Sequence, residues 1–268
     1  MDQLEYAFIK REVLRLTGVD LNYYKAPQVQ RRLRTHLLRS GHTTWRKFFH
    51  AAQDDPVVLG KLKDYLTINV SSFFRDPKKF AYLRESIVPE LMHGHSKLRV
   101  WSAGCSRGHE PYSLAIMLAE VTGPYRRHQI LATDIDQSAL KWARAGGPYP
   151  AEDVENVPPT LLSRYFKVQE DGYWVAENVR RWITFRHHNL LADPFESGLD
   201  LIICRNVVIY FTAEVKKQLY NHFHDALRPG GVLFVGGTEI VPQASNIGFE
   251  SAGFSFYRRN GAEHRLSK

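Results

Sequence analysis

Three places along the chain bring together residue types that can do chemistry. The first is Ser102-Ala103-Gly104-Cys105-Ser106-Arg107-Gly108-His109-Glu110-Pro111, which joins an apolar run, Leu98–Ala103, to an amphipathic one, Pro111–Val121. Glycines and small residues between a strand and a helix let the backbone approach a ligand closely. The turn is not G-x-G-x-x-G, which argues against a nicotinamide enzyme, and an ordinary tight turn uses the same residues. The second is Ala132-Thr133-Asp134-Ile135-Asp136, about 25 residues after the glycines, where an acid can accept hydrogen bonds from both hydroxyls of a ribose. Asp134 is read as that ligand, and Asp136 as the cap of the next helix. The third is Arg205-Asn206-Val207-Val208-Ile209-Tyr210-Phe211, directly after the apolar run Leu199–Cys204. Open α/β sheets bind ligands outside the carboxyl ends of their strands, which is where Arg205, Asn206 and Tyr210 fall. For Tyr210 a packed tyrosine at a strand end is a close competitor.

Other chemistries are poorly supported. Cys105 and Cys204 match no metal or redox spacing and read as reduced thiols. The pairs His93/His95, His187/His188 and His222/His224 have spacings of one or two, which do not share a helix face. No cysteine or carboxylate completes a ligand pattern with them, so no metal is expected. No Ser/His/Asp or Cys/His arrangement stands out.

The elements that must carry these residues follow from periodicity. Residues 1–90 repeat apolar positions at three-to-four spacing and read as helical, with Pro27 in a first helical turn and Gly41 at that helix's end. A further helix is expected over about Lys78–Met92. From Lys97 short apolar runs alternate with amphipathic stretches. Strands are expected at Leu98–Ala103, Gln129–Asp134, Ile183–Leu190, Leu199–Cys204 and Val232–Gly236, and helices at Pro111–Val121, Gln137–Ala145 and Ala213–Leu227. Such alternation predicts a parallel sheet with helices on both faces. Gly147–Arg181, rich in Pro and charge, breaks the rhythm and reads as an insertion with a small hairpin near Tyr173–Val175. Phe254–Arg258 reads as a final edge strand. The predicted organisation is an N-terminal helical domain over 1–77, a linker helix over 78–96, and a doubly wound Rossmann-like α/β domain over 97–268 with an inserted β-subdomain at about 163–187.

The 268 residues carry a net charge of +8, unevenly spread. Residues 1–53 hold ten Lys/Arg against four Asp/Glu, whereas residues 97–268 hold twenty against eighteen. A basic concentration points to an acidic partner surface. On a helix from about Pro27 to Ser40, Val29, Leu33 and Leu37 share one face, Arg31, Arg32 and Arg39 oppose it, and Arg34 flanks them. No acid lies between Leu21 and Gln53 to pair with these cations. A solvated face is the plain reading; docking on an acidic helix is the functional one. The start, Met1–Lys10, is not patterned as a secretory signal, and no run suffices for a membrane span. A cytoplasmic monomer is expected.

Three stretches taken together go beyond a generic fold: Thr67-Ile68-Asn69-Val70-Ser71-Ser72-Phe73-Phe74-Arg75, Gly108-His109-Glu110-Pro111-Tyr112-Ser113 and Cys204-Arg205-Asn206-Val207-Val208-Ile209-Tyr210-Phe211. Their combination resembles the chemotaxis receptor methyltransferase (CheR) family over about residues 4–260. The resemblance implies S-adenosylmethionine (SAM) as cofactor, S-adenosylhomocysteine (SAH) as product, and methyl esterification of glutamates on the cytoplasmic helices of chemotaxis receptors. It implies that Asn69, Ser71 and Arg75 reach the cofactor, that Glu110 contacts its amino-acid end, and that Asp134 holds the ribose. Asn189 and Leu190 would sit near the adenine, Arg205 and Asn206 would line the cleft, and Tyr210 would stand close to the methyl. Two positions depart from the family pattern: Ser71 replaces a Thr but keeps its hydroxyl, and His109 replaces the first Glu of G-E-E-P-Y-S.

A carboxylate nucleophile is already ionised at neutral pH, so such a transfer needs no general base. Arg75, Arg205 and Tyr210 are the candidates to orient it, and Arg31, Arg32, Arg34 and Arg39 the candidates to dock the receptor. A nucleic-acid methyltransferase is the first rival, but the fourth strand is not followed by Asn/Asp-Pro-Pro-Tyr/Phe. A cofactor-occupied scaffold without turnover is the second.

Overall fold

The computed structural model describes residues 1–67, 71–126 and 128–261. The chain divides into two compact units: Met1–Asn69 with Ile209–Lys216, and Val70–Val208 with Lys217–Lys268.

The first unit is helical: α1 (Gln3–Thr17), α2 (Ala26–Arg39), α3 (Trp45–Asp54) and α4 (Pro56–Thr67). Local signals set the ends. Asp2 caps α1 by accepting from Glu5 N at 2.7 Å, and Gly18 ends it with φ 77°. Pro27 sits in the first turn of α2, and Thr44 caps α3. The core joins Ile9 and Val13 of α1, Val29 and Leu33 of α2, Trp45, Phe48 and Phe49 of α3, and Leu62 of α4. The buried stripe of α2 ends on His36, not on Leu37 as the apolar spacing suggests. His36 packs between the rings of Phe48 and Tyr65, at 5.3 and 4.6 Å. Residues 209–216 complete this unit through a bridge between Tyr24 and Phe211, whose rings lie 5.0 Å apart.

The second unit opens with α5 (Pro77–Tyr82), a π turn (Leu83–Ile87) and α6 (Val88–Met92). This stretch is not a linker. Phe80, Leu83, Ile87, Val88 and Leu91 belong to the main hydrophobic core, so the unit begins at residue 70 and not at 97. The chain continues through β1 (Arg99–Ala103), α7 (His109–Thr122), β2 (Gln129–Asp134), α8 (Gln137–Ala145), α9 (Pro159–Tyr165), β3 (Phe166–Gln169), β4 (Gly172–Val175), α10 (Glu177–Arg180), β5 (Ile183–His187) and β6 (Leu199–Cys204). It ends with α11 (Ala213–Ala226), β7 (Leu227–Val235), α12 (Ala244–Ile247), β8 (Phe249–Ser251) and β9 (Phe256–Arg259).

The seven-stranded sheet runs β5-β2-β1-β6-β7-β9-β8. Its first four pairings are parallel, and β9 returns antiparallel between β7 and β8. The predicted final edge strand is therefore an interior one, and β8 forms the edge. The sharp return at Gly253 (φ 125°) and Ser255 (φ 76°) turns β9 back along β7. All six residues of β6 are buried, as expected for a central parallel strand, with Asp200 held by Arg228 Nε at 2.5 Å and Arg99 N at 2.6 Å. The insertion holds a two-stranded hairpin, β3–β4. β5 lies outside it, because Ile183–His187 pairs with β2 in the main sheet. Among the described residues no helix is long and apolar enough to cross a membrane.

Candidate active site

The sheet order reverses between β1 and β6, and open α/β sheets bind ligands outside the carboxyl ends of the strands at such a switch point. The turn after β1 is tied down on one side: Gly104 N and Cys105 N both donate to Thr133 O, at 2.8 and 2.9 Å. Gly104 has φ 85°, and a Cβ there would lie 2.4 Å from Val207 Cγ2. Only glycine permits this approach of the turn to the segment leaving β6. Ser106 N donates to Asp134 Oδ2 at 2.7 Å, and Asp136 N to Oδ1 at 2.9 Å. The Asp134 carboxylate thus fastens the turn while each oxygen keeps a further lone pair. Burial pushes its pKa up, and those two backbone donors oppose the rise. Asp136 caps α8, accepting from Ser138 N at 2.8 Å and Ala139 N at 3.2 Å.

Glu110 stands in the first turn of α7 and accepts from Ser102 Oγ at 2.8 Å. Arg205 Nη1 lies 3.5 Å from its other oxygen. Arg205 Nη2 donates to Arg75 O at 3.2 Å and to the Asp76 carboxylate. The guanidinium sits over the rings of Phe234 and Phe80, 4.9 and 5.9 Å from their centroids. Burial raises the Glu110 pKa, and Arg205 is the leading opposing cause. Asn206 turns through φ 61°, held by donation of its N–H to Glu239 Oε2 at 2.9 Å. Gly236 N donates to the same oxygen at 2.5 Å.

The predicted residues fall into distinct places. Glu110, Arg205, Asn206 and the Arg75 carbonyl meet around the end of β6, with Asp134 two strands away at the end of β2. Both terminal nitrogens of Arg205 are engaged within the protein. Its expected part in orienting a substrate carboxylate gives way to holding Glu110 and Asp76. Ser71 and the side chain of Arg75 are half-buried, and Asn69 lies outside the described residues. His188 N donates to Asp134 O at 3.0 Å, which starts the following loop at the end of β2. There Asn189 Oδ1 accepts from Leu191 N at 3.0 Å, and Leu190 is half-buried. Tyr210 belongs to the helical unit, where its carbonyl accepts from Lys25 N at 3.0 Å. Arg31, Arg34 and Arg39 are exposed on α2. Arg32 is not. It donates to Tyr65 O and lies 4.9 Å over the Tyr65 ring, and burial pushes its pKa down. It is withdrawn from the docking face because it closes the end of α4.

His109 is buried, with Nε2 2.8 Å from Asp153 Oδ2 and its ring against Phe73 and Tyr149. It therefore links α7 to the insertion and does not face Arg205's partners. The Cys105 and Cys204 thiols are buried and their pKa values pushed well up, which makes neither a nucleophile. Asp76, Ser102 and Glu239 are the site residues that sequence reasoning missed. An acid just past a Gly-Gly strand end, as in Gly236-Gly237-Thr238-Glu239, was an available signal.

A ligand with a cationic end fits this donor set. The buried carboxylates Asp134 and Glu239, with the half-buried Glu110, outnumber the buried guanidinium of Arg205. Glu239 Oε1 is moreover buried without a hydrogen-bond partner. Among the described residues no group of three or more His, Cys, Asp and Glu could hold a metal ion.

Residues 69–256 match the family model described as CheR methyltransferase, SAM binding domain. Residues 4–67 match the CheR methyltransferase all-alpha domain. A chemotaxis protein methyltransferase of Listeria innocua is 41% identical over 94% of this chain and 96% of its own length. One from Borreliella burgdorferi is 33% identical over 86% of each chain. Chemotaxis protein methyltransferase 2 of Pseudomonas aeruginosa is 36% identical over 91% of this chain and 89% of its own.

Proposed function

Since the chain belongs to the CheR methyltransferase family and is a SAM-dependent methyltransferase, we propose that it esterifies glutamate side chains on the cytoplasmic helices of chemotaxis receptors. The observation that carries the reading is the buried Ser102–Glu110–Arg205 arrangement beside the Asp134 clasp, an anionic crevice at the switch point of the sheet.

Bound there, SAM supplies an electrophilic methyl on a sulfonium. Asp134 accepts from the ribose hydroxyls with its spare lone pairs. Glu110 receives the ammonium end, fixed in place by Ser102 and Arg205. Ser71 and Arg75 would add further cofactor contacts, Asn189 and Leu190 would flank the adenine, and Asn206 would line the cleft. No general base is required, because a glutamate with an ordinary pKa of about 4.3 is ionised at neutral pH. The chain's task is to align that carboxylate and strip its water. The Arg75 side chain orients it.

The exposed cations of α2 give this reading its partner. Arg31, Arg34 and Arg39 suit an acidic helix, and the reading places the enzyme in the cytoplasm as a monomer. The test is incubation with radiolabelled SAM and receptor-bearing membranes. Label on the receptor that is lost in alkali is the expected result, since alkali cleaves carboxyl esters and spares N-methyl groups. Alkali-stable label, or label on added nucleic acid alone, overturns the proposal.

A further inference from the structure

Phe254 is 76% exposed, yet the turn that carries it, between β8 and β9, is braced from several sides. Tyr82 Oη donates to Ala252 O at 2.8 Å. Gly253 has φ 125°, and a Cβ there would lie 2.7 Å from the Tyr82 hydroxyl. Ser255, buried at φ 76°, accepts at its carbonyl from Val235 N at 2.9 Å. Its Oγ donates to Gly236 O at 3.3 Å and accepts from Lys79 Nζ. A serine held at a left-handed φ costs free energy. Burial of Phe254 does not offset that cost, because the ring is mostly in water.

The turn lies at the end of the sheet where ligands bind. β9 starts beside the carboxyl end of β7, with Phe256 opposite Phe234. Lys79 Nζ stands 4.6 Å over the Phe254 ring and would lie 3.4 Å from a Cβ on Gly237, just past β7. Burial pushes the Lys79 pKa down, and the charges that act on it next are those of Asp76, Arg205 and Glu239. Phe254 is thus one side chain away from the cluster at the end of β6. Ile240, 72% exposed, leaves β7 at this same end.

Single exposed apolar residues are ordinary, but a large one fixed at the rim of a catalytic site resembles a recognition anchor. Its surroundings select the occupant. Lys78 is exposed and Lys79 touches the ring, while Asp76, the acid beside them, is engaged by Arg205. An apolar ring among ammonium groups suits an acidic amphipathic helix. A second copy of this chain, at net charge +8, is electrostatically mismatched. A helix that offers a glutamate to the end of β6 presents the residues three and four positions away on the same face, against this rim.

We propose that Phe254 is a docking anchor for the substrate helix, receiving an apolar side chain about one turn from the target glutamate, with the Lys79 ammonium beside it for the helix's acids. The inference rests on the receptor-glutamate reading and adds the residue that helps choose which glutamate enters.

Methylation rates of the full chain at varied concentrations of receptor-bearing membranes, with calorimetric titration of SAM, test it. Phe254→Ala should raise the KM for receptor about tenfold while kcat and SAM affinity stay within about twofold of wild type. Phe254→Tyr, which keeps the ring, should restore the KM. Thermal unfolding should be unchanged in both, because the ring is exposed. Tyr125→Ala removes a side chain that is 95% exposed between α7 and β2, at the opposite end of the sheet, and should leave the KM alone. An unchanged KM in Phe254→Ala, a fall in kcat alone, or an equal effect of Tyr125→Ala overturns the proposal. So does a wild-type dimer in sedimentation that Phe254→Ala dissociates, since the ring would then meet a second copy. A wild-type chain that places no alkali-labile label on receptors overturns the reading beneath, before any variant is compared.

Discussion

Arg205 Nη1 stands 3.5 Å from Glu110 Oε2, with the guanidinium only 3% exposed. The pair spans from the end of β6 to the first turn of α7. Removing one member of a buried pair leaves the other uncompensated, which typically costs about 3–5 kcal/mol. Arg205→Met should therefore destabilise the sheet unit by about 3 kcal/mol in urea unfolding at pH 7, and weaken SAM binding. A loss below about 1 kcal/mol would show that Glu110 does not depend on this partner.

His128 gives the fold an acid sensitivity remote from the crevice. Its Nδ1 accepts from Leu98 N at 3.0 Å, and its Nε2 lies 2.9 Å from Thr122 Oγ1, which donates to Leu118 O. Burial lowers its pKa from 6.5 to about 4. A base with a depressed folded pKa stabilises the protein above its unfolded pKa, and that stability is lost as pH falls from 6.5 towards 4. Between pH 7 and 5 this group accounts for a loss of about 2 kcal/mol. His128→Asn should flatten the pH dependence of the unfolding free energy over that range; an unchanged slope refutes the assignment.

Gly104→Ala combines a left-handed φ with a Cβ 2.4 Å from Val207 Cγ2. Strain and overpacking together should cost about 2–3 kcal/mol. The double variant with Val207→Ala relieves the overlap but not the dihedral. It should recover stability in part, and complete recovery would mean that the dihedral carries no penalty.

The α2 arginines should separate into two behaviours. Arg31→Glu with Arg34→Glu should slow receptor methylation several-fold while leaving SAM affinity and thermal stability near wild type, and the defect should shrink at high salt. Arg32→Ala should instead lower the stability of the helical unit by about 1–2 kcal/mol, because it strips the hydrogen bond from Tyr65 O. Equal effects of the two on stability would contradict the division between exposed and inward-facing arginines.

Much of this was legible because local signals agreed with the global fold. Asp136 reads as a cap from its place ahead of Gln137–Ala145, and β6 as a strand from its apolar run. Arg205 and Asp134 stood out as candidates because strand ends in such sheets face the ligand, and Glu110 because of the family resemblance. What stayed hidden was set by long-range contacts. Arg32 and Arg31 look alike in sequence, and only the docking of α4 turns the first inward. The place of β9 depended on a hairpin return, and Glu239 on a bond to a backbone N–H 33 residues earlier. Residues 78–96 resembled a connector until the burial of Phe80 and Leu83 counted them into the core.

The helical unit is assembled from two separate pieces of chain. During synthesis its first 69 residues emerge long before residues 209–216, which supply Phe211 for Tyr24. At elongation rates of about 5–20 residues per second, roughly seven to thirty seconds pass before that partner is made. Tyr24 lacks this ring partner throughout the interval, so the helical unit is begun before the sheet unit and completed only after most of that unit has been made. A gene fragment ending at residue 69 would encode that waiting state and never its completion.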